Sequence, residues 1–265
     1  MSRIKQILDG LHKKKRKALV LFLTAGDPSL AATQEMILAA AGAGADIIEI
    51  GVPFSDPLAD GPVIQRSFQR AIKAGVSMDG ILKLVADVRK KSQVPLVFMV
   101  STTLVINRGV ERFMADSARA GVDGIILPDA PLEEAQEFVP AARKAGLDTI
   151  FLAAPTSPPQ RLKDIAALST GFLYYINVAG VTGGKSASAA EVAANVRKAK
   201  KASKAPVMAG FGVKTPQQAR ELCRVADGVI IGSAAVDIVA SAKNRAAAAA
   251  ELAKFVRAVR KQMDQ

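Results

Sequence analysis

Two acidic side chains, Glu49 and Asp60, stand eleven residues apart, and the stretch between them holds mostly apolar residues, two prolines and a third acid, Asp56. Glu49 lies between Ile48 and Ile50 in a short apolar run, which is typical of a buried strand. Burial there raises the pKa of a carboxyl group toward the range of a general acid or base. Two carboxyl groups of different pKa can share the proton transfers of one reaction. Both residues also have a structural interpretation, Glu49 as a partner of a backbone amide or lysine and Asp60 as a turn former.

A second group of candidates consists of glycines and hydroxyl residues that follow the later apolar runs. Gly212, Gly232 and Ser233 come after two consecutive runs, and Thr182 and Gly183 come after an earlier one. Backbone N–H groups at such turns can bind phosphate, especially where a helix begins. Alternatively, these glycines only turn the chain. The small, polar stretch 182–188 suits a mobile lid.

Other chemistries have little support. The chain has one histidine, His12, and one cysteine, Cys223, which excludes a zinc site of the usual kind and an internal disulfide. Ser55 lacks a histidine for a hydrolase triad. We therefore predict no metal site. Phe22 and Phe211 are core residues by default, and either could also wall a site for an aromatic ligand.

The elements that must position these residues alternate regularly. Eight short apolar runs predict strands at 19–23, 47–50, 96–100, 124–127, 149–152, 172–176, 206–209 and 229–231. Amphipathic patterns between them predict helices at 30–43, 78–91, 109–120, 132–145, 160–168, 189–202, 216–223 and 245–263. This alternation favours an α/β protein, a (β/α)8 TIM barrel over residues 1–265 as a single domain, with an extra N-terminal helix at 4–11. The alternative is an open doubly wound sheet, although no Gly-x-Gly-x-x-Gly follows the first strand.

In such a barrel the active site lies at the carboxyl ends of the strands. Because side chains alternate along a strand, Ile48 and Ile50 should face the helices, while Glu49 and Ile47 should point into the barrel. The site residues above would then meet at one end of the barrel.

Composition limits the remaining classes. Half of the 265 residues are apolar and 23% are charged, which excludes a disordered chain. No stretch predicts a secretory signal or a membrane helix, so we expect a cytoplasmic protein without membrane partners. The net charge of +12 is spread along the chain without interleaved aromatic residues, so we expect no nucleic-acid partner.

The motifs, taken together, resemble those of the tryptophan synthase alpha subunit family. In order along the chain they are TAGDP at 24–28, EIGVPFSDPLADGP at 49–62, LPD at 127–129, GVTG at 180–183, GFG at 210–212 and GSA at 232–234. The second motif is highly specific for this family, and the resemblance covers almost the whole chain.

The resemblance implies a carbon–carbon lyase that cleaves indole-3-glycerol phosphate to indole and glyceraldehyde 3-phosphate. It implies the following roles: Glu49 as acid and base, Asp60 at the indole N–H, Gly183, Gly212, Gly232 and Ser233 at the phosphate, Phe22, Tyr174 and Phe211 in the pocket, and Thr182 in the lid. It also implies no cofactor in this chain. A beta subunit carrying pyridoxal phosphate would complete an α2β2 heterotetramer and would face Asp56, Pro57 and Pro131.

The sequence departs from the family pattern at two places. Ser101-Thr102-Thr103 stands where the family usually has Tyr-x-Asn, and Asn177 replaces a usual serine. Two other functions therefore stay open: a standalone lyase that releases free indole, and a barrel that binds the phosphate ester and only activates a beta subunit.

Overall fold

The computed structural model describes residues 1–57, 60–176, 189–210 and 212–265. The strands are β1 Ala18–Thr24, β2 Ile47–Gly51, β3 Leu96–Met99, β4 Gly124–Ile126, β5 Asp148–Ile150, β6 Leu152–Ala153, β7 Leu173–Ile176, β8 Val207–Gly210 and β9 Gly228–Ile231. They form one sheet in the order β5-β4-β3-β2-β1-β9-β8-β7-β6, and every neighbouring pair is parallel.

The two edge strands of this sheet are consecutive in the chain. Only Phe151 separates β5, which pairs with β4, from β6, which pairs with β7. The stretch 148–153 therefore links both edges and closes the sheet into a nearly complete barrel. The predicted TIM barrel is confirmed, with the fifth predicted strand divided into two pieces.

The helices are α1 Arg3–Lys13, α2 Leu30–Ala43, α3 Pro62–Lys73, α4 Met78–Arg89, α5 Thr102–Arg108, α6 Val110–Ala120, α7 Ala135–Lys144, α8 Pro159–Leu168, α9 Ala189–Ala202, α10 Pro216–Cys223, α11 Ser233–Ser241 and α12 Arg245–Met263. Periodicity did not predict α3, α5 and α11, which follow β2, β3 and β9 along the chain. Over the parts of the chain that the structure describes, no helix combines the length and apolar character needed to cross a membrane.

Side chains alternate along each strand between the layer of helices outside the barrel and the barrel interior. Ile48 and Ile50 pack with helix residues such as Met36 in the layer outside the barrel. Ile47 belongs to the cluster inside the barrel, and Ile4 of α1 joins that cluster. The extra N-terminal helix is thus present and packs against the barrel interior, and the predicted inward face of β2 is confirmed.

Candidate active site

Glu49 is sealed inside the barrel. It is 1% exposed, and its Cα is in register with Phe22 on β1 and Val97 on β3. Within the described residues, neither carboxyl oxygen of Glu49 has a hydrogen-bond partner. Burial, together with the nearby charge of Asp60, raises the pKa of Glu49 to about 8. The carboxyl group is therefore mostly protonated at neutral pH.

Asp60 is held just before α3, where Gly61 caps the helix and Pro62 begins it. The Asp60 backbone N–H donates to the carbonyl of Pro57 at 3.1 Å. Its own carbonyl accepts a hydrogen bond from Nε2 of Gln65 at 2.8 Å. Burial, with the charge of Asp129 as the second cause, raises the pKa of Asp60 to about 6. Asp60 is thus mostly ionised at neutral pH, in contrast to Glu49.

Tyr174 on β7 faces both carboxyl groups. Its pKa is raised well above the ordinary value, first by burial and then by the charges of Glu49 and Asp60. The ring packs against Gly210, where an added Cβ would lie 2.8 Å from Cε1 of Tyr174. The phenol is therefore neutral near the two acids.

Phe22 occupies the space that Gly51 leaves free at the end of β2. A Cβ on Gly51 would lie 2.6 Å from Cε2 of Phe22 and 3.1 Å from Cε1 of Phe68. Such approaches are far inside van der Waals contact, so a residue without a side chain at position 51 allows the two rings to pack there.

A cavity of about 250 Å³ opens at this end of the barrel. Its apolar wall includes Phe68 and Met99, and its acidic residues are Asp56, Asp60 and Asp129. Glu49 is not among the residues that line it. The structure therefore brings Asp60 to the cavity surface and places Glu49 deeper in the barrel.

The departure after β3 has a visible consequence. The Ser101 hydroxyl donates to Oδ2 of Asp129 at 2.6 Å, and the Thr102 N–H donates to Oδ1 at 3.0 Å. Thr103 lines the cavity. Asp129 belongs to the LPD motif, but the sequence predicts no role for it, because no local pattern shows that two segments 28 residues apart meet.

The candidate phosphate ligands follow neighbouring strands. Gly212 follows β8 by two residues with a φ of +50°, and Gly232 precedes α11, which begins at Ser233. Because β8 and β9 are paired, these residues share one edge of the barrel. Thr182, Gly183, Phe211 and Asn177 lie outside the described residues.

The residues expected to face a partner lie near the same end. Asp56 and Pro131 are exposed, while Pro57 is half-buried and contributes to the cavity wall with Asp56. Pro131 precedes a short 3-10 turn, Leu132–Glu134. The structure therefore leaves this surface accessible.

The fold is a TIM barrel that brings two acidic residues with raised pKa values, Glu49 and Asp60, to the carboxyl ends of its strands, where enzymes of this class have their active sites. The family model of the tryptophan synthase alpha chain matches residues 8–264. The tryptophan synthase alpha chain of Geobacter sulfurreducens is 48% identical over 260 residues, covering 98% of each chain.

Solved structures agree with this match. Tryptophan synthase subunit alpha from Legionella pneumophila superposes with a TM-score of 0.92 at 34% identity, covering 100% of this chain and 99% of the other. A chain in the structure of the tryptophan synthase α2β2 complex from Pyrococcus furiosus gives a TM-score of 0.85 at 38% identity, covering 92% and 98%.

The chain belongs to the tryptophan synthase alpha chain family. It is a carbon–carbon lyase that cleaves indole-3-glycerol phosphate and passes indole to a beta subunit in tryptophan biosynthesis.

Proposed function

We propose that Glu49 is the general acid and base of this cleavage and that Asp60 is the anion that stabilises the indole ring. The observation that carries the proposal is the difference in pKa between the two buried acids, about 8 for Glu49 and about 6 for Asp60. Near neutral pH one group can give a proton while the other already carries a negative charge.

The steps follow from this difference. Protonated Glu49 transfers its proton to C3 of the indole ring, which leaves a positive charge shared with the ring nitrogen. The carboxylate of Glu49 then accepts the proton of the hydroxyl on the adjacent side-chain carbon. The electron pair of the broken C–C bond returns to the ring as indole, and the former hydroxyl oxygen becomes the aldehyde of glyceraldehyde 3-phosphate.

Asp60 supplies the negative charge that the protonated indole ring needs. Its carboxylate accepts a hydrogen bond from the indole N–H and stabilises the positive charge that forms after C3 is protonated. Phe22 and Tyr174 would confine the ring between the two acids. No step of this scheme requires a cofactor in this chain.

The phosphate would bind at the edge formed by Gly212, Gly232 and Ser233. The start of α11 offers free backbone N–H groups and the positive end of a helix dipole. Gly183 and the lid residue Thr182 would complete this end. An anchored phosphate supplies binding energy far from the reacting carbon.

The partner would be a beta subunit that carries pyridoxal phosphate, in an α2β2 heterotetramer. Support comes from the similarity to a chain in the structure of the Pyrococcus furiosus α2β2 complex. Asp56, Pro57 and Pro131 would face that subunit, since they lie around the mouth of the cavity or are exposed near it.

The experiment is indole release from indole-3-glycerol phosphate by the purified chain, with and without an added beta subunit. We expect slow turnover that the beta subunit accelerates. Glu49→Gln and Asp60→Asn should each lower kcat by about 10²-fold or more, the usual contribution of a positioned acid or base.

Two outcomes would contradict parts of the proposal. Full turnover without the partner would favour a standalone lyase. A barrel that only binds and activates would be indicated by two results together. The wild-type chain would show no lyase activity of its own, and the Glu49→Gln variant would still activate the beta subunit.

A further inference from the structure

Asp129 is an acidic residue at the cavity whose carboxylate is fixed in position. Ser101 Oγ donates to its Oδ2 at 2.6 Å, and the Thr102 N–H donates to Oδ1 at 3.0 Å and to Oδ2 at 3.2 Å. Two donors therefore hold the carboxyl group of Asp129 beside the cavity, although the residue as a whole is exposed.

The cavity is shared by Asp129 and Asp60. Both residues line the same space of about 250 Å³, whose acidic residues also include Asp56. Among the described residues that line it, there is no lysine, arginine or histidine to offset these charges. The negative field of Asp129 therefore acts on Asp60 without a compensating cation in the wall.

The groups that face Asp60 come from several elements. Glu49 on β2 and Tyr174 on β7 interact with it electrostatically, Asp129 follows β4, and Asp56 lies in the same loop. Of these, Asp129 is the group whose charge, after burial, raises the pKa of Asp60. Glu49 and Tyr174 are mostly neutral at neutral pH, so they add little field there.

We propose that Asp129 is a positioning residue that acts on the lyase reaction through Asp60. Its carboxyl group is held by the Ser101 hydroxyl and the Thr102 N–H, both at the start of α5. This inference rests on the role proposed for Asp60 above. Asp129 has two opposing effects on the rate of the reaction. It favours the protonated form of Asp60 in acid, and it strengthens the negative field that stabilises the cationic ring once Asp60 is ionised.

The test is the pH profile of kcat/KM for the full chain with its beta subunit, comparing wild type with Asp129→Asn. Removing the charge lowers the pKa of Asp60, so the acid limb should move to lower pH by roughly half to one unit. Above pH 7 the plateau of kcat should fall about 2- to 10-fold because the cationic ring loses a negative neighbour. Asp129→Glu restores the charge and should bring the acid limb back toward the wild-type position.

Glu134→Gln is the matched control, because it removes one exposed negative charge five residues away without touching the cavity. It should leave the acid limb in place. An unchanged acid limb in a folded Asp129→Asn variant would overturn the proposal.

If Asp129→Asn does not fold, Ser101→Ala carries the test. It keeps the charge but frees the carboxylate, so the acid limb should move in the same direction by a smaller amount. An acid limb in the wild-type position would show that the hydrogen bond from Ser101 does not position Asp129. Failure of this inference is distinguishable from failure of the proposed function, because Asp60→Asn would still lose activity in the first case but not in the second.

Discussion

The side-chain amide of Gln65 donates a hydrogen bond to the backbone carbonyl of Asp60 at 2.8 Å. Gln65 lies in the first turn of α3, so the helix that follows Asp60 also holds its backbone in place. Further along α3, Arg70 forms a two-pronged ion pair with the buried Asp27 at 2.8 and 2.7 Å. These contacts tie α3 to the end of β1, and α3 in turn sets the position of Asp60.

Gln65→Ala should therefore weaken catalysis without removing any reacting group. The loss of one hydrogen bond, on the order of 1 kcal/mol, would lower kcat/KM about fivefold through a looser Asp60. Steady-state kinetics of indole release would measure it. Gln217→Ala, on the exposed side of α10, is the control and should leave kcat/KM unchanged. Equal activity of both variants would show that α3 positions Asp60 without this contact.

Gly51→Ala should destabilise the fold and deform the pocket. The added Cβ would overlap the Phe22 ring and approach Cε1 of Phe68 at 3.1 Å, and overpacking of this kind costs about 1–3 kcal/mol. Urea unfolding would measure the loss. Gly10→Ala is the control, because a Cβ at that position in α1 meets nothing within 4 Å. It should leave stability unchanged or raise it slightly.

Ser233→Ala should separate binding from chemistry. Ser233 opens α11 at the proposed phosphate edge and takes no part in the proposed proton transfers. Loss of its hydroxyl should raise KM for indole-3-glycerol phosphate about 3- to 10-fold and leave kcat nearly unchanged. The reason is that a phosphate contact binds the substrate and the transition state equally.

Ser241→Ala, at the other end of α11, is the matched control for Ser233→Ala. It should leave KM as in wild type. A fall in kcat with an unchanged KM in Ser233→Ala would argue against a phosphate contact.

Glu49→Gln should stabilise the protein, and more so as the pH rises. The pKa of Glu49 is about 8 in the folded chain against an ordinary value of 4.5. Between these values the folded state holds a proton that the unfolded state has lost, so this group makes stability fall as the pH rises. Glutamine removes that dependence.

The measurement is the free energy of unfolding of both proteins at pH 5 and pH 8. The gain from Glu49→Gln should be larger at pH 8 by on the order of 2 kcal/mol. Glu251→Gln, an exposed residue of α12, should show no such difference. A gain that is the same at both pH values would mean that Glu49 is not protonated in the folded chain.

Periodicity predicted much of the fold. Short apolar runs between amphipathic helices are enough to indicate a parallel barrel, because strands covered by helices on one side and a core on the other are apolar on both faces. The same alternation correctly placed Glu49 inside the barrel. It did not predict α3, although Ile64, Phe68 and Ala71 have helical spacing.

The sequence by itself determined the parallel barrel with most of its helices, the family and the two acids that differ from their surroundings. Only the tertiary structure decided which of the acids is protonated, because a pKa depends on burial and on charges brought close by folding. It also decided that Asp129 meets Ser101 and lines the cavity with Asp60. These residues lie on separate strand ends, and no local pattern encodes a contact that exists only once β3 and β4 are paired.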